Sequence, residues 1–327
     1  MTTTTKAEPN SVGLDVPRTV ELELTGRCQL ACGHCLSDSG PTAPHGTMGQ
    51  GDWMAVIAEC AELGVETVQL IGGEPTVFAG WENLVDYALG FKLKVEVFTN
   101  LYKIADQAWD VLSQPGVSLG TSYYSVNPDE HDRVTGKPGS HKRTRDNIIR
   151  ALHRNIPIRA GVVRVNDGQL AELAVEELEA LGVGRVTLDN TRLVGRAAGG
   201  AEPTVDTLCG RCALGKVAIL PDGTVSPCVL GRFLPTGNVT EAGLRDVLTS
   251  TKWAETAAGI PRKATAGCPP NDSNDCNPAN TEACAPAYFA PIARRGMCVP
   301  KVTVSGPVPV DIGGCPPTDS EACDPKH

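Results

Sequence analysis

Residues 25–40, TGRCQLACGHCLSDSG, set three thiols, Cys28, Cys32 and Cys35, in a C-x3-C-x2-C array. The array directly follows the alternating run Val20, Glu21, Leu22, Glu23, Leu24. Alternation of apolar and polar residues is the period of a strand, so the thiols occupy the loop that leaves it. Three cysteines on one loop can grip a single metal centre. A structural zinc site wants four protein ligands in closed pairs, whereas an iron-sulfur cube held by three thiolates keeps one iron open for a substrate or cofactor.

Downstream, residues 50–63 are apolar at Trp53, Met54, Val56, Ile57, Cys60, Ala61 and Leu63. That is helical spacing, stopped by Gly64, and it puts Cys60 on a buried stripe as a packed core thiol. Residues 65–71 read as a second strand that runs into Gly72, Gly73, Glu74 and Pro75. A helix over 81–89 leads to a third strand over 93–99, which ends in Thr99 and Asn100. A fourth strand over 117–125 ends in Thr121, Ser122, Tyr123, Tyr124 and Ser125. On the residues alone His131 reads as a solvated loop residue, and Asp132 or Thr144 as the N-cap of a following helix. A fifth strand covers 156–165, an amphipathic helix 170–181, and a sixth strand 184–188, followed by Asp189 to Ala197. Alternating strand and helix units force a parallel sheet, and six of them predict an α/β chain folded as a partial parallel (β/α)6 barrel. Such a fold places its chemistry at the carboxyl ends of the strands.

At 327 residues the chain suffices for a barrel-sized domain and a smaller one. The formal charge of −9 comes without a basic stripe, which argues against a nucleic-acid partner. The first residues, MTTTTKAEPNSVG, lack the apolar core of a signal peptide, and no apolar run approaches the roughly 18 residues that span a bilayer. A cytoplasmic protein with no membrane partner is expected. Thirteen cysteines in such a chain point to metal rather than disulfides, and nine of them follow Val205.

The C-x3-C-x2-C loop after a first strand resembles the radical S-adenosylmethionine superfamily. The resemblance implies a [4Fe-4S] cluster on Cys28, Cys32 and Cys35, with S-adenosylmethionine chelating the fourth iron. One-electron cleavage of that cofactor would yield a 5'-deoxyadenosyl radical that abstracts a substrate hydrogen. GGEP at 72–75 is similar to the family's glycine-rich motif, which implies that Gly72, Gly73 and Glu74 meet the cofactor's amino group. The cofactor contacts expected beside them are Thr99, Asn100, Ser122 and Arg196, the last in a family-like GRA step able to pair with a carboxylate. The segment with His131, Asp132 and the Gly139-Ser140 step also resembles the family. Residues 1–17 read as a disordered tail. They leave no room for the winged helix with which some peptide-modifying members grip a leader, so a separate peptide-recognition protein or a small substrate is expected.

From Thr204 the composition shifts to Cys, Pro and Gly, around a hairpin whose turn is Pro221-Asp222-Gly223. Cys209, Cys212, Gly223 and Cys228 are spaced like the first half of the SPASM extension, which with the shorter twitch form carries auxiliary [4Fe-4S] clusters. The second half departs from that pattern, because Cys268, Cys276 and Cys284 follow one another at intervals of seven intervening residues. GCPPNDSNDCNP at 267–278 returns as GCPPTDSEACDP at 314–325, which suggests either a repeated metal or partner loop or a Pro-rich segment too poor in apolar residues to pack alone. Ligation by some of these later cysteines is expected. The domains expected are 18–203 for the barrel and 204–327 for the auxiliary region. The subgroup resembled is that of mycofactocin- and pyrroloquinoline-quinone-type peptide maturases. It implies oxidative modification of a ribosomally made peptide and an external one-electron reductant of flavodoxin or ferredoxin type. Dehydrogenation or epimerisation of an aminocyclitol or sugar is the enzymatic alternative, and an iron-sulfur electron carrier or peptide-binding scaffold the non-enzymatic one.

Overall fold

The computed structural model describes residues 16–262. Six strands, β1 (Thr19–Glu23), β2 (Thr67–Ile71), β3 (Lys94–Phe98), β4 (Val117–Tyr123), β5 (Ile158–Arg164) and β6 (Arg185–Asn190), lie side by side and parallel. The crossovers carry α1 (Gln50–Leu63), α2 (Trp81–Gly90), α3 (Ala108–Leu112), α4 (Pro128–Thr135), α5 (Ser140–His153) and α6 (Ala171–Ala180). A parallel pair needs such a crossover to return the chain to the same end. The barrel does not close. On the far side of β1, β7 (Lys216–Ile219) pairs in parallel, and β8 (Thr224–Ser226) and β9 (Gly237–Asn238) then continue antiparallel. The cysteine-rich segment therefore begins as a direct extension of the sheet.

The period of two along β1 explains the packing. Val20, Leu22 and Leu24 join Trp53, Ile57 and Cys60 of α1 in the main core, all with no exposed surface, and so Cys60 is the core thiol its spacing predicts. Glu21 and Glu23 point to the other face and are also buried. Their charges are met from the hairpin: Lys216 Nζ lies 3.3 Å from Glu21, the Val229 amide donates to Glu21 at 3.0 Å, and Arg232 donates to Glu23 at 2.9 Å.

Helix ends follow local chemistry. Gly64 stops α1 with φ 86° and returns its N–H to Cys60 and Ala61. Asn127 caps α4 by accepting from the amides of Asp129 and Glu130, and Pro128 occupies the first turn, where no amide is needed. Asp132 is not the N-cap of α5, since it lies within α4 and Gly139 holds the cap position, but its carboxylate accepts from the Gly139 and His141 amides and the Ser140 hydroxyl at the start of α5. Thr144 is no cap; its hydroxyl donates to the Asn100 carbonyl at 2.9 Å. His131, read from its neighbours as a solvated residue, is 1% exposed, because α4 turns it inward against Tyr123, Tyr124 and His141. Two further short helices, α7 (Leu244–Leu248) and α8 (Thr251–Gly259), follow the hairpin. Among the described residues no helix is long and apolar enough to cross a membrane. Of the expected tail, residues 1–15 lie outside the described residues, while Val16 packs against the core and Pro17 is buried; Cys268, Cys276 and Cys284, with both copies of the repeat, also lie outside.

Candidate metal and cofactor site

The cysteine loop leaves the carboxyl end of β1 and is gripped by its neighbours' backbones. The Gly73 amide donates to the Thr25 carbonyl at 2.6 Å and the Glu74 amide to that of Arg27 at 2.9 Å. From the other side, the Ala31 and Gly33 amides donate to Thr135 and Val134 at the end of α4. Two glycines make the approach possible. A Cβ on Gly73 would stand 2.4 Å from the Arg27 carbonyl oxygen, and one on Gly195, at φ +60°, 2.4 Å from that of Cys35. Arg196 completes the grip, with its amide to the Cys35 carbonyl at 2.9 Å, Nε to that of Cys32 at 2.8 Å and Nη2 to that of Ser39 at 2.6 Å.

Cys28, Cys32 and Cys35 line a cavity of about 260 Å3 at the carboxyl ends of the strands, together with Gly72, Gly73, Asn100, Ser122 and Arg196. Glu74 is fully buried behind it. Its Oε1 accepts from the Thr99 and Thr76 hydroxyls, each at 2.7 Å, and from the Thr76 amide, while Oε2 accepts from the Asn100 amide at 2.8 Å. Burial raises the Glu74 pKa and these donors oppose the rise. Thus Gly72, Gly73, Asn100, Ser122 and Arg196 meet at the cavity, and Thr99 and Glu74 brace it from beneath.

Other cavity residues escaped the sequence reading. Glu23 enters from β1, signalled by its alternation with Val20, Leu22 and Leu24. Arg159 of β5 lies along the floor, paired with Glu96 of β3 at 2.6 Å and stacked over the Phe98 ring at 5.2 Å. His34 and His131 flank Tyr124, with ring centroids 5.1 and 5.2 Å away. Burial lowers their pKa values to about 4 and about 3, so both imidazoles are neutral. Nothing in the local pattern places Arg159, His34 or His131 in this cavity, since their shared position depends on strands and helices far apart in sequence.

The donor set favours an iron-sulfur cube over a single ion. Burial pushes the Cys28 and Cys32 thiols up to about 12, so a bound metal is needed to hold them as thiolates at neutral pH. Among the described residues no three Cys, His, Asp or Glu side chains close around one point, as a lone zinc would require. Three thiols lining one cavity can serve three corners of a cube. A second thiol group stands on the hairpin: Cys212 and Cys228 have their sulfurs 2.9 Å apart, Cys209 is hydrogen-bonded to Cys212, and Leu208, Ile260 and Phe233 pack around them. Val229 and Leu230, next to Cys228, form part of the cavity wall.

Six parallel strands, with a thiol loop after the first and a cavity across their carboxyl ends, define an α/β protein built to hold a metal centre beside an organic ligand. The radical SAM superfamily model matches residues 22–187, and the chain belongs to that superfamily. An iron-sulfur cluster-binding domain model of SPASM type matches residues 209–277. The chain is 29% identical over 188 residues to the sporulation killing factor maturation protein SkfB of Bacillus subtilis, covering 57% of this chain and 45% of that one. It is 34% identical over 165 residues to the mycofactocin maturase MftC of Mycolicibacterium smegmatis, covering 50% and 42%. The chain thus spans less than half the length of these curated relatives. A similar fold occurs in a crystal structure of Streptococcus suis SuiB bound to precursor peptide SuiA, with a TM-score of 0.61 at 17% identity, covering 77% of this chain and 68% of that one. A [4Fe-4S] cluster and S-adenosylmethionine are the cofactors of the radical SAM domain, and the SPASM domain is one for auxiliary clusters.

Proposed function

We propose that the protein is a peptide maturase that oxidatively modifies a residue of a ribosomally made peptide. The observation that carries the reading is the shared cavity, with the Cys28 loop on one side and Val229 and Leu230, next to Cys228, on the other. Oxidation of a substrate needs a radical initiator at one wall and an exit for an electron at another. Cys28, Cys32 and Cys35 hold the first cluster, and Cys209, Cys212 and Cys228, with ligands drawn from later cysteines such as Cys268, Cys276 and Cys284, hold auxiliary iron. When bound, the first cluster supplies the electron that breaks a carbon-sulfur bond of S-adenosylmethionine and so yields the 5'-deoxyadenosyl radical. The protein's own groups position and exclude. Gly72 and Gly73 offer backbone to the cofactor, Asn100, Ser122 and Arg196 line its cavity, and the walls made by Leu30, Ile71, Phe98, Val162 and Leu230 keep water from a reactive radical. Thr99 and Glu74 keep the glycine turn in shape beneath the cofactor. Maturation is supported by the names of SkfB and MftC, a maturation protein and a maturase, and the peptide class by that of the PqqA peptide cyclase of Rhizobium meliloti, to which the chain is also similar. A flavodoxin or ferredoxin supplies the electron, and a separate recognition protein presents the leader.

The test is anaerobic reconstitution with iron and sulfide, followed by S-adenosylmethionine, a strong reductant and synthetic copies of any short peptides encoded beside the gene. Formation of 5'-deoxyadenosine, with loss of two hydrogens, with or without carbon dioxide, from one peptide, is expected. Deoxyadenosine with no altered peptide, and turnover of an aminocyclitol or sugar instead, would replace this reading with the small-molecule alternative.

A further inference from the structure

Each sulfur of the cysteine loop has a side-chain hydroxyl or amide beside it. Asn100 Nδ2 donates to Cys28 Sγ at 3.5 Å, supported by the Leu30 amide at 3.4 Å. Tyr124 lines the same cavity as Cys32, where its hydroxyl acts to lower the Cys32 pKa, and the Ser37 hydroxyl lies 3.5 Å from Cys35 Sγ. The thiols here stand for ligated thiolates, which have no proton to give, so in the metal-bound protein all three side chains become donors.

These donors are held in place rather than free to turn. The Asn100 amide oxygen accepts from the Tyr102 amide at 2.8 Å, and its own backbone amide is tied to Glu74. Tyr124 is 6% exposed and wedged between His34 and His131. Ser37 is tied to Ser39 at 2.8 Å. Three independent segments of the chain thus reach the three sulfurs: the end of β3, the residue just past β4, and the loop itself.

We propose that Asn100, Tyr124 and Ser37 are positioning residues that set the reduction potential of the cluster on Cys28, Cys32 and Cys35. An added electron spreads negative charge over the sulfurs. Fixed donors in a buried site stabilise that charge without reorganising, so they favour the reduced form and raise the potential. Tyr124 carries the largest share, because it is the most buried of the three and its phenol is a stronger hydrogen-bond donor than an amide or an aliphatic hydroxyl. This inference rests on the three cysteines being the ligands, as proposed above.

The experiment is a redox titration of the reconstituted full chain followed by electron paramagnetic resonance. The cluster concerned is the one whose signal changes when S-adenosylmethionine is added. At the wild-type midpoint, Tyr124→Phe should lower the reduced-to-oxidised ratio about five- to tenfold, tenfold being 59 mV for one electron, with iron content unchanged. Ser37→Ala should lower it by a smaller factor. Tyr123→Phe, whose hydroxyl serves His141 and Glu177 instead, should leave the ratio where it was. Unchanged ratios in both Tyr124→Phe and Ser37→Ala, with the signal still responsive to the cofactor, would overturn the proposal and leave the ligand assignment standing. A responsive signal that survives Cys28→Ala, Cys32→Ala and Cys35→Ala together would overturn both.

Discussion

Burial lowers the His131 pKa from 6.5 to about 3, helped by His141 and opposed by Asp132. In the unfolded chain the imidazole takes a proton near 6.5, so between those two values the unfolded state binds the extra proton. The stability this neutral histidine permits is complete above pH 6.5 and declines as the pH falls toward 3. Metal-free protein should therefore lose on the order of 2 kcal/mol between pH 7 and pH 4 through this group, after allowance for partial relaxation. His131→Phe should flatten that decline in urea midpoints measured across the range. An equally steep decline in the variant would assign it to other groups. His131 also marks a boundary of legibility. Cys28, Cys32 and Cys35 stand out by local spacing, and the Gly72–Gly73 pair by the resemblance of GGEP to a family motif. The inward turn of His131, the wedge of Tyr124 and the brace of Glu74 depend on neighbours from other elements, which no window of sequence contains.

Strands β1 to β6 were readable because each is a short apolar run ended by glycine or polar residues, with a crossover before the next. Helices α3 and α7 are five residues each, too short for a period to emerge, and went unread. The placement of β7 beside β1 was equally hidden. Its signature is a pair of buried acids on β1 with no local partner, and the partners arrive from Lys216, Val229 and Arg232. Glu21 and Lys216 have side chains 0% and 6% exposed, so removing one charge leaves the other buried and uncompensated. Lys216→Ala should cost about 3 kcal/mol or more in urea denaturation. Adding Glu21→Gln, which retains an oxygen for the Val229 amide, should recover most of the loss. A double variant as unstable as the single would show that the lysine matters for packing rather than for charge.

Across the molecule, two thiol groups stand on one continuous sheet, one after β1 and the other around the β7–β8 hairpin. They should load separately. Replacing Cys28, Cys32 and Cys35 by Ala should abolish cleavage of S-adenosylmethionine while the protein still takes up iron and sulfide. Cys212→Ala with Cys228→Ala should lose the complementary part of the iron and keep the cleavage. Iron near zero in the first variant would mean that the hairpin thiols are only packed core groups. The same sheet has a consequence in time. Thr19 of β1 pairs with Lys216 of β7, about 200 residues later. A ribosome moving at about 5–20 residues per second completes β7 roughly 10–40 s after β1 emerges. Throughout that interval β1 presents an unpaired edge and two acids without their cations, a nascent chain suited to capture by chaperones. Slower growth temperatures and added chaperone should raise the soluble yield more than any change to the mature surface.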